Sequence, residues 1–198
     1  VNSPPSTNGV KGNALLTTRS GSRYVNGVNN SNSFPLFTFT NWSLSWWQRS
    51  INADASGISG AWGDASANDR LMIQFYPTAW SNIACYYNGF NGTTVTAYGS
   101  TNLGIINSNW NMMTIQFTGT NTQVWTNSVM AFTFNSSLNI NTNRHPGIAF
   151  GGRYVNGSAT SFETAVFDEH GVFNRCLSSN EISWLFNAGN GRALSEFR

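Results

Sequence analysis

The sequence predicts an all-β sandwich with one short helix near its C-terminus, and three observations carry this prediction. Short segments of alternating apolar and polar residues recur along the chain, with turn signals about every eight to twelve residues between them. Aromatic residues make up 14% of the 198 residues, and aromatic side chains favour strands. One segment close to the C-terminal end changes from the two-residue period of a strand to the period of a helix.

The predicted strands are short apolar segments bounded by Gly, Asn, Ser or Thr. They are Ala14–Thr18, Arg23–Val25, Trp42–Arg49, Leu71–Tyr76, Ile83–Tyr87, Thr93–Tyr98, Trp110–Thr118, Gln123–Thr126 and, after a turn at Asn127-Ser128, Met130–Phe134, followed by Ile148–Gly151 and Ser161–Phe173. In the Trp42–Arg49 strand, Trp42 and Trp46 are predicted to face the core. Ser43 and Trp47 are predicted to face outward, because successive side chains of a strand point to opposite faces.

The last predicted strand, Ser161–Phe173, is expected to alternate strictly between two faces. One face carries Val166, Asp168, His170 and Val172, and the other carries Phe167, Glu169, Gly171 and Phe173. We predict that His170 is a hydrogen-bonded core residue sharing a face with Asp168. A zinc site is not expected, because the chain has two histidines and lacks both the Cys-x-x-Cys and the His-Glu-x-x-His patterns.

A helix is predicted directly after this strand. Ser178 and Glu181 have the spacing of a capping box, in which a serine hydroxyl and a glutamate carboxylate accept hydrogen bonds from backbone amides at the helix start. Leu177 and Ile182 have the spacing of a hydrophobic staple across the same start. Gly189 is predicted just past the helix end, since glycine readily adopts the left-handed conformation found there.

Short motifs spread along the chain combine into one family pattern. The closing stretch contains Asp168-Glu169, Val172–Arg175, Leu177-Ser178, Glu181-Ile182 and Asn187–Gly189, and the upstream segments are Asn41–Arg49, Trp110–Phe117, Val124-Trp125 and Ile148–Gly152. Together these motifs resemble laminin-G-like domains of the concanavalin A-like lectin and glucanase superfamily. The resemblance implies a two-sheet antiparallel jelly-roll sandwich with one short C-terminal helix.

The same resemblance covers nearly the whole chain, whose length fits a single domain. It implies a laminin-G-like jelly-roll domain over residues 13–198. Residues 1–12 are predicted to form an N-terminal arm or linker, because Pro4-Pro5 cannot donate to a strand ladder and glycines at positions 9 and 12 loosen the rest. This fold hosts lectins, glycosidases, adhesion modules and structural domains, so function has to be argued from the site.

Charge and the length of apolar runs exclude two classes of partner, nucleic acid and the membrane interior. Charged residues make up 9% of the chain, the net charge is +2, and Lys11 is the only lysine. Nucleic-acid surfaces need clustered Lys and Arg, so no nucleic-acid partner is expected. No apolar run approaches the roughly 18 residues of a membrane-spanning helix, so no membrane insertion is expected.

A catalytic pair of carboxylates is not expected. Glycoside hydrolysis needs two carboxyl groups that face each other across the scissile bond. The glucanase relatives carry theirs on one strand as Glu-x-Asp-x-x-Glu or a close variant. Glu163, Asp168 and Glu169 have a different spacing, and Asp168 is predicted to point away from the other two. The chain is therefore predicted not to be an enzyme, with a glycan hydrolase or lyase kept as an alternative.

The long connection over residues 51–69 carries the acidic residues that lie away from the closing motif. Many laminin-G-like domains bind calcium at a loop rim, and Asp54, Asp64 and Asp69 could supply oxygen ligands there. Aspartate in loops rich in Gly, Ser and Asn also serves ordinary turn chemistry. Calcium is thus a possible cofactor at this loop, and no other cofactor is expected.

Aromatic residues in predicted loops are the candidate ligand-binding residues. Trp62, Trp80 and Phe90 could stack on the C–H faces of sugar rings, while polar groups such as Asp64 and Asn88 take the hydroxyls. Exposed aromatic rings also mark contacts between subunits. Both interpretations stay open.

The chain contains two cysteines, Cys85 and Cys176. A free cysteine behaves as a small buried apolar residue, which is the favoured interpretation. A disulfide stays open as the alternative, because the sequence does not place the two Cα atoms within bridging distance.

These observations predict a non-catalytic module that binds a glycan or another surface receptor and is displayed outside a cell or on a virus particle. The alternative is a virion structural module, such as a phage capsid decoration or tail-fibre domain, that packs against neighbouring subunits. Low charge and exposed aromatic rings fit both functions, and a homo-oligomer is possible in either case.

Overall fold

The computed structural model describes residues 6–17, 25–26, 40–50, 71–76, 82–88, 94–99, 108–135, 149–150, 153–155, 158–160 and 164–197. Its strands are β1 (Ser6–Asn8), β2 (Asn13–Thr17), β3 (Val25–Asn26), β4 (Trp42–Ser50), β5 (Leu71–Tyr76), β6 (Asn82–Asn88), β7 (Thr94–Gly99), β8 (Asn111–Phe117), β9 (Asn121–Thr126), β10 (Val129–Asn135), β11 (Ala149–Phe150), β12 (Arg153–Val155), β13 (Ser158–Thr160) and β14 (Ala165–Phe173). One α-helix, α1 (Ser179–Phe186), follows the last strand.

The strands pair antiparallel throughout the described residues. A seven-stranded sheet has the order β1-β2-β14-β4-β8-β9-β10, and a three-stranded sheet has the order β5-β6-β7. Two short pairs, β11 with β3 and β12 with β13, accompany them. The predicted fold class, an antiparallel all-β structure with one short C-terminal helix, is confirmed.

Strand β4 lies at the centre of the seven-stranded sheet, between β14 and β8. One of its faces is mainly apolar, and the buried Gln48 at the end of this face accepts from the Trp46 indole N–H at 2.9 Å. Trp42, Leu44 and Trp46 are fully buried on this face. Their cross-strand partners on β8 are Phe117, Ile115 and Met113, which are also buried. We call this side the dry face, and its alternation is the one predicted from the sequence.

The opposite face of β4 is buried as well, so the prediction that Ser43 and Trp47 face solvent is wrong. The cause is the C-terminal segment, which covers this face. Trp47 belongs to a buried apolar cluster whose other members are Met112, Leu177, Ile182 and Leu185. The indole also stacks on the ring of Phe186, with centroids 5.7 Å apart and planes 13° apart. We call this side the covered face.

Polar side chains on the covered face hold the chain that leads into the helix. Gln116 lies opposite Ser43 in the β4–β8 ladder. The Leu177 amide donates to Gln116 Oε1 at 2.5 Å and lies 3.1 Å from the Ser43 hydroxyl. The same hydroxyl lies 2.8 Å from both Gln116 Oε1 and the Arg175 carbonyl oxygen, and its single proton serves one of them at a time. Buried polar groups are thereby satisfied at the crossing of strand and segment.

A β-bulge interrupts β14, so its predicted strict alternation is wrong beyond Asp168. Asp168 lies opposite Trp47, but Gly171 lies opposite Ser45, which leaves two residues of β14 facing one residue of β4. Glu169 within the bulge has φ 46°, a left-handed conformation that is uncommon for residues other than glycine. The bulge moves Gly171 onto the face that carries Asp168, where the prediction had separated them.

The two carboxylates at this bulge hold both ends of the chain. Asp168 is buried, and its Oδ2 accepts from the Lys11 amide at 2.9 Å. Its Oδ1 accepts from the Glu169 amide at 2.9 Å. Glu169 Oε2 accepts from the Leu194 amide at 2.7 Å. The Asp-Glu pair therefore joins the N-terminal hairpin and the C-terminal tail to the middle of the sheet.

Ser6–Asn8 is strand β1 of the sheet, and the predicted arm or linker over residues 1–12 stays a prediction. Ser6 pairs with Leu15 in the β1–β2 ladder, and the Gly9 amide donates to the Gly12 carbonyl at 2.9 Å in the turn. A Cβ atom at position 9 would collide with the carboxylate of Asp168. Glycine at this position allows the turn to approach the bulge. The domain boundary predicted at residue 13 stays a prediction.

The predicted helix start is confirmed. Ser178 is the N-cap, its hydroxyl accepts from the Glu181 amide, and the Glu181 carboxylate accepts from the Ser178 amide. Leu177 and Ile182 lie in the same buried cluster, as their staple spacing predicts. The helix end differs from the prediction. Asn187, with φ 47° and ψ 50°, is the left-handed C-cap, and Gly189 lies in a further 3-10 turn.

Two smaller predictions are confirmed, the turn at Asn127-Ser128 and a free thiol at Cys176. Asn127 and Ser128 have φ values of 49° and 66°, which is the twist that a two-residue hairpin between β9 and β10 requires. Cys176 is a free thiol and donates to the Phe117 carbonyl at 3.2 Å. Burial is the main cause that raises the pKa of this thiol, so it stays protonated at neutral pH.

Candidate functional site

The residues predicted to bind a ligand in the loops lie almost entirely outside the described part of the chain. Trp62, Asp64, Trp80 and Phe90 all belong to this group. Asn88 is the last residue of β6 and lies opposite Thr94 of β7. The predicted calcium ligands at positions 54, 64 and 69 also lie outside the described residues. The loop site and the calcium site stay predictions.

Among the described residues, a cleft lies where α1 meets the C-terminal tail. Its volume is about 380 Å³, within the range of small-ligand sites in proteins. We call it the tail cleft. It is lined by Asn180, Glu181, Trp184, Glu196 and Phe197.

The geometry of α1 presents three of these residues. Ile182 and Leu185 are buried in the cluster under the helix. Glu181 and Trp184 are three residues apart, so they neighbour each other along one side of the helix. Asn180 is exposed at the same end and lies four residues before Trp184, on the next position of that side. The helix therefore offers one aromatic ring, one carboxylate and one amide together.

The tail supplies the opposite wall. A 3-10 turn over Leu194–Glu196 ends just before Phe197, and the Leu194 amide is held by Glu169 at the bulge. Glu196 Oε1 accepts from the Ala193 amide at 3.1 Å. The tail is thus bonded to the sheet through Leu194, and the turn is held internally by the bond between Ala193 and Glu196.

The aromatic rings of the tail cleft form an edge-to-face group. The Phe197 ring lies 5.7 Å from the Trp184 ring at 66° and 5.1 Å from the Phe173 ring at 61°. The Arg192 guanidinium lies 4.7 Å from the centroid of Trp184, and the Arg175 guanidinium lies 5.8 Å from that of Phe197. These are favourable aromatic and cation–π arrangements, so the rings are held in place.

Glu181 is the most strongly held acid of the site. Arg175 donates to its Oε2 at 3.0 Å and to its Oε1 at 2.5 Å, and the Ser178 amide donates to Oε2 at 2.8 Å. The hydrogen bond from Arg175, followed by that from Ser178, lowers the pKa of Glu181 from 4.5 to about 2. The side chain is nevertheless 31% exposed. It therefore presents a permanently ionised carboxylate to the cleft.

Glu196 is the second acid of the site. It is exposed, and its Oε2 lies 3.6 Å from Arg192 Nη1, one helical turn away in sequence. Neither Arg175 nor Arg192 lines the tail cleft, while both acids do. Each carboxylate that lines the cleft is thus paired with an arginine that does not line it.

A second cleft of about 420 Å³ lies on the other side of Arg175. It is lined by polar residues and the free thiol, namely Thr40, Asn41, Thr118, Asn174, Arg175 and Cys176. None of these described lining residues is aromatic. Arg175 makes one bidentate pair of hydrogen bonds with Glu181, so the cation among the described residues of this cleft is already paired with a carboxylate.

The carboxylates considered for catalysis hold the backbone instead. Asp168 and Glu169 accept hydrogen bonds from three backbone amides at the bulge, and Glu163 lies outside the described residues. The Nε2 atom of His170 is buried, and its ring lies 5.8 Å from that of Phe167. Desolvation lowers the pKa of His170 to about 3. His170 is therefore neutral at ordinary pH. It lies within the bulge and not in regular alternation with Asp168, and the hydrogen bond predicted for it stays a prediction.

Two further features are absent from the described part of the chain. No group of three or more His, Cys, Asp or Glu side chains that could hold a metal occurs there. Nor does that part include a helix with the length and apolarity needed to cross a lipid bilayer.

Comparisons with known proteins give structural matches only. No protein-family model matches the chain, and no curated protein matches it. The binding domain of Paraclostridial Mosquitocidal Protein 1 is similar in structure, with a TM-score of 0.69 and 15% identity over 94% of this chain and 46% of that one. The receptor-binding domain of botulinum neurotoxin type G has a TM-score of 0.62 and 12% identity, over 92% of this chain and 44% of that one.

A third similar structure comes from a carbohydrate-active enzyme. It is domain 4 of an extracellular arabinanase of Geobacillus stearothermophilus, in complex with arabinotriose. The TM-score is 0.65 and the identity 13%, over 91% of this chain and 79% of that one. This chain spans about half the length of the two toxin structures. At these identities the likeness establishes the fold, a β-sandwich shared with carbohydrate-binding and receptor-binding domains.

Proposed function

We propose that this chain is a non-catalytic module that binds a carbohydrate or a receptor. The observation that carries the proposal is the shared fold, which extends over more than nine-tenths of the chain in domains that bind receptors or arabinotriose. Fold alone does not fix function. The proposal therefore also rests on the local chemistry of an aromatic cleft and of ring-bearing loops.

The absence of catalysis in this proposal is supported by the use of the acids at the bulge. Asp168 and Glu169 bind backbone amides of Lys11 and Leu194. A carboxylate that is bound to a backbone amide in this way is poorly placed to face a second carboxylate across a substrate. Glycan hydrolysis or lysis is therefore not part of the proposed function.

The proposed ligand is a glycan, taken by the loop residues that the sequence singles out. Trp62, Trp80 and Phe90 would stack on sugar C–H faces, and Asp64 and Asn88 would bind hydroxyls. The loop aspartates Asp54, Asp64 and Asp69 would hold a calcium ion in the same loop. Equilibrium dialysis against Ca²⁺ would measure its binding. We further propose display on the outside of a cell or virus particle, where such a module meets surface glycans.

A glycan array probed with the purified chain tests this proposal. We expect binding to one or more neutral glycans, weakened about tenfold or more in Trp62→Ala and Trp80→Ala. Trp110→Ala is the matched control, because Trp110 is a partly buried tryptophan packed on the cluster under α1 and is not one of the predicted loop residues. An array without binding, followed by no binding to arabinotriose at millimolar concentration, would contradict a glycan-binding function.

A second candidate function, packing against neighbouring subunits of a virion or surface assembly, is favoured by one feature. Strand β10 is the last strand of the seven-stranded sheet, and Val129 and Met130 at its start are 68% and 49% exposed. Exposed apolar residues on an edge strand invite pairing with another chain. Light scattering across a concentration series should then show oligomers that Val129→Lys disrupts, whereas a monomer at every concentration would remove this candidate.

A further inference from the structure

We propose that the tail cleft is a second binding site, separate from the predicted loop site, and that it takes a neutral saccharide. This inference rests on the proposed glycan-binding function and deepens it. It concerns residues that the loop prediction does not include: Asn180, Glu181, Trp184, Glu196 and Phe197.

The first argument is the pairing of rings with hydrogen-bond acceptors. A saccharide presents C–H patches that pack on aromatic rings and hydroxyls that donate hydrogen bonds around them. Trp184 and Phe197 supply the rings, 5.7 Å apart and nearly perpendicular. The two glutamates supply acceptor oxygens within the same 380 Å³ cleft. An apolar body with a few aimed polar groups is the usual composition of a small-ligand site.

The second argument is unused acceptor capacity. A carboxylate oxygen can accept about two hydrogen bonds. Among the described residues, Glu181 Oε1 accepts from Arg175 alone, and Glu196 Oε1 accepts from the Ala193 amide. Each of these oxygens can therefore take one donor from a ligand. Charge-assisted hydrogen bonds of this kind are stronger than bonds between neutral groups.

Charge decides between a saccharide and a basic peptide. A cationic peptide would gain from free carboxylates, but Arg175 and Arg192 already pair with Glu181 and Glu196 from outside the cleft. An anionic sugar would place its charge beside the two lining glutamates, while Arg175 and Arg192 contact the cleft only through the rings of Phe197 and Trp184. A neutral ligand rich in hydroxyl donors avoids both penalties.

The third argument is preorganisation. The capping box fixes Glu181 at the start of α1. The bond from the Leu194 amide to Glu169 fixes the turn that carries Glu196 and Phe197. A site that is held in its binding conformation before the ligand arrives loses less conformational entropy on binding.

Nuclear magnetic resonance on the full chain tests the inference, with cellotriose, arabinotriose, trigalacturonate and pentalysine as probes. We expect one of the neutral trisaccharides to shift the indole N–H of Trp184 and the amide of Phe197 in a saturable manner. Trigalacturonate should bind at least about tenfold more weakly. Pentalysine should not shift these signals.

Three variants sharpen the result. Trp184→Ala should weaken neutral trisaccharide binding about tenfold or more, and Asn180→Ala, on an exposed residue, should weaken it about twofold to threefold without affecting the fold. Trp110→Ala is the matched control, because Trp110 also packs on the cluster under α1 and also lies under an arginine, with Arg49 5.3 Å from its ring centroid. It should leave binding unchanged.

The outcomes separate this inference from the proposed function. Saccharide binding that survives Trp184→Ala and Asn180→Ala but is lost in Trp62→Ala and Trp80→Ala overturns the tail cleft and leaves the proposed function intact. Pentalysine shifting the Trp184 signal while no sugar does so overturns the saccharide and assigns the cleft to a basic peptide. No response to any neutral glycan, at either site, overturns both.

Discussion

The two faces of strand β4 are both buried, but they differ in chemistry at neighbouring residues. On the dry face, Leu44 and its cross-strand partner Ile115 are both fully buried apolar side chains. On the covered face, one residue earlier, the Ser43 hydroxyl is equally buried but lies among hydrogen-bond partners from Gln116 and Arg175. Burial alone therefore does not distinguish the faces. The two faces are distinguished by the segments that cover them.

The buried polar groups of the covered face restrict which segment can pack on it. An apolar face can be covered by any apolar layer of suitable shape, because the hydrophobic effect has no direction. A face with buried hydroxyls and amides accepts only a cover that satisfies them, because an unmade buried hydrogen bond costs about 1–3 kcal/mol. The amide of Leu177 meets this demand. The polar face thus fixes where the segment crosses the sheet, and with it the position of α1 and the tail cleft.

The largest effect is expected on the dry face. Leu44→Ala removes a fully buried side chain and should lower the free energy of unfolding by about 2–5 kcal/mol, because the lost burial is joined by the cost of a cavity. Chemical denaturation monitored by tryptophan fluorescence measures it. Leu15→Ala, at a residue that is 38% exposed, is the control and should cost under about 1 kcal/mol. Equal losses in the two variants would contradict the assigned burial.

The bulge that shifts β14 between the faces should respond to pH through His170. Because burial lowers the pKa of His170 to about 3, the folded state keeps it neutral while the unfolded state takes up a proton below about pH 6.5. Stability from this residue is complete above pH 6.5 and falls toward pH 3, by up to about 1.4 kcal/mol per pH unit.

His170→Phe keeps a ring beside Phe167 and removes the titration. The free energy of unfolding, measured from pH 7 to pH 4, should therefore fall less steeply in the variant than in the native chain. An identical slope would mean that His170 titrates alike in the folded and unfolded states, and the core position would be contradicted.

The covered face should respond to the loss of a single acceptor. Gln116→Met keeps the length of the side chain but removes the oxygen that accepts from the Leu177 amide. We expect a loss of about 1–3 kcal/mol and faster hydrogen exchange at the Leu177 amide. Gln123→Met is the control, because Gln123 meets Gln116 at 3.4 Å from a partly exposed position. Unchanged exchange at Leu177 would show that the polar row does not hold the segment.

The smallest effect concerns the helix start. Ser178→Ala removes the hydroxyl that accepts from the Glu181 amide at 3.3 Å and should cost about 1 kcal/mol. Ser179→Ala, the next residue along, is the control and should change stability by less than about 0.5 kcal/mol. A loss in Ser179→Ala as large as that in Ser178→Ala would contradict the capping box.

The sequence predicts those features whose cause is local. The capping box of Ser178 and Glu181 depends on a spacing of three residues, and the dry face of β4 depends on alternation along one strand. The αL cap shows the limit of such arguments. Gly189 has the preferred residue type, yet the helix ends at Asn187, since asparagine also tolerates the left-handed conformation.

The features that the sequence does not predict depend on contacts between distant segments. Glu169 adopts its left-handed conformation where its carboxylate meets the Leu194 amide, a partner that no periodicity reveals. The sequence alone predicts that Ser43 faces solvent, because the segment that covers it, at Leu177, is 134 residues away along the chain. The helix side of the tail cleft could be predicted from the sequence, because the spacing of Glu181 and Trp184 makes them neighbours on the helix surface. Phe197 reaches Trp184 only through the tertiary fold.

A crystal structure of the full chain grown with the neutral trisaccharide that binds most tightly tests the central claim most directly. The claim is that the covered face positions α1 and the tail so that a preformed cleft binds sugar. It predicts a sugar ring packed on Trp184, with hydroxyls donating to Glu181 and Glu196 and with the Leu177 amide still bonded to Gln116. A trisaccharide bound elsewhere above an empty tail cleft, or a helix lifted from Trp47, would contradict it.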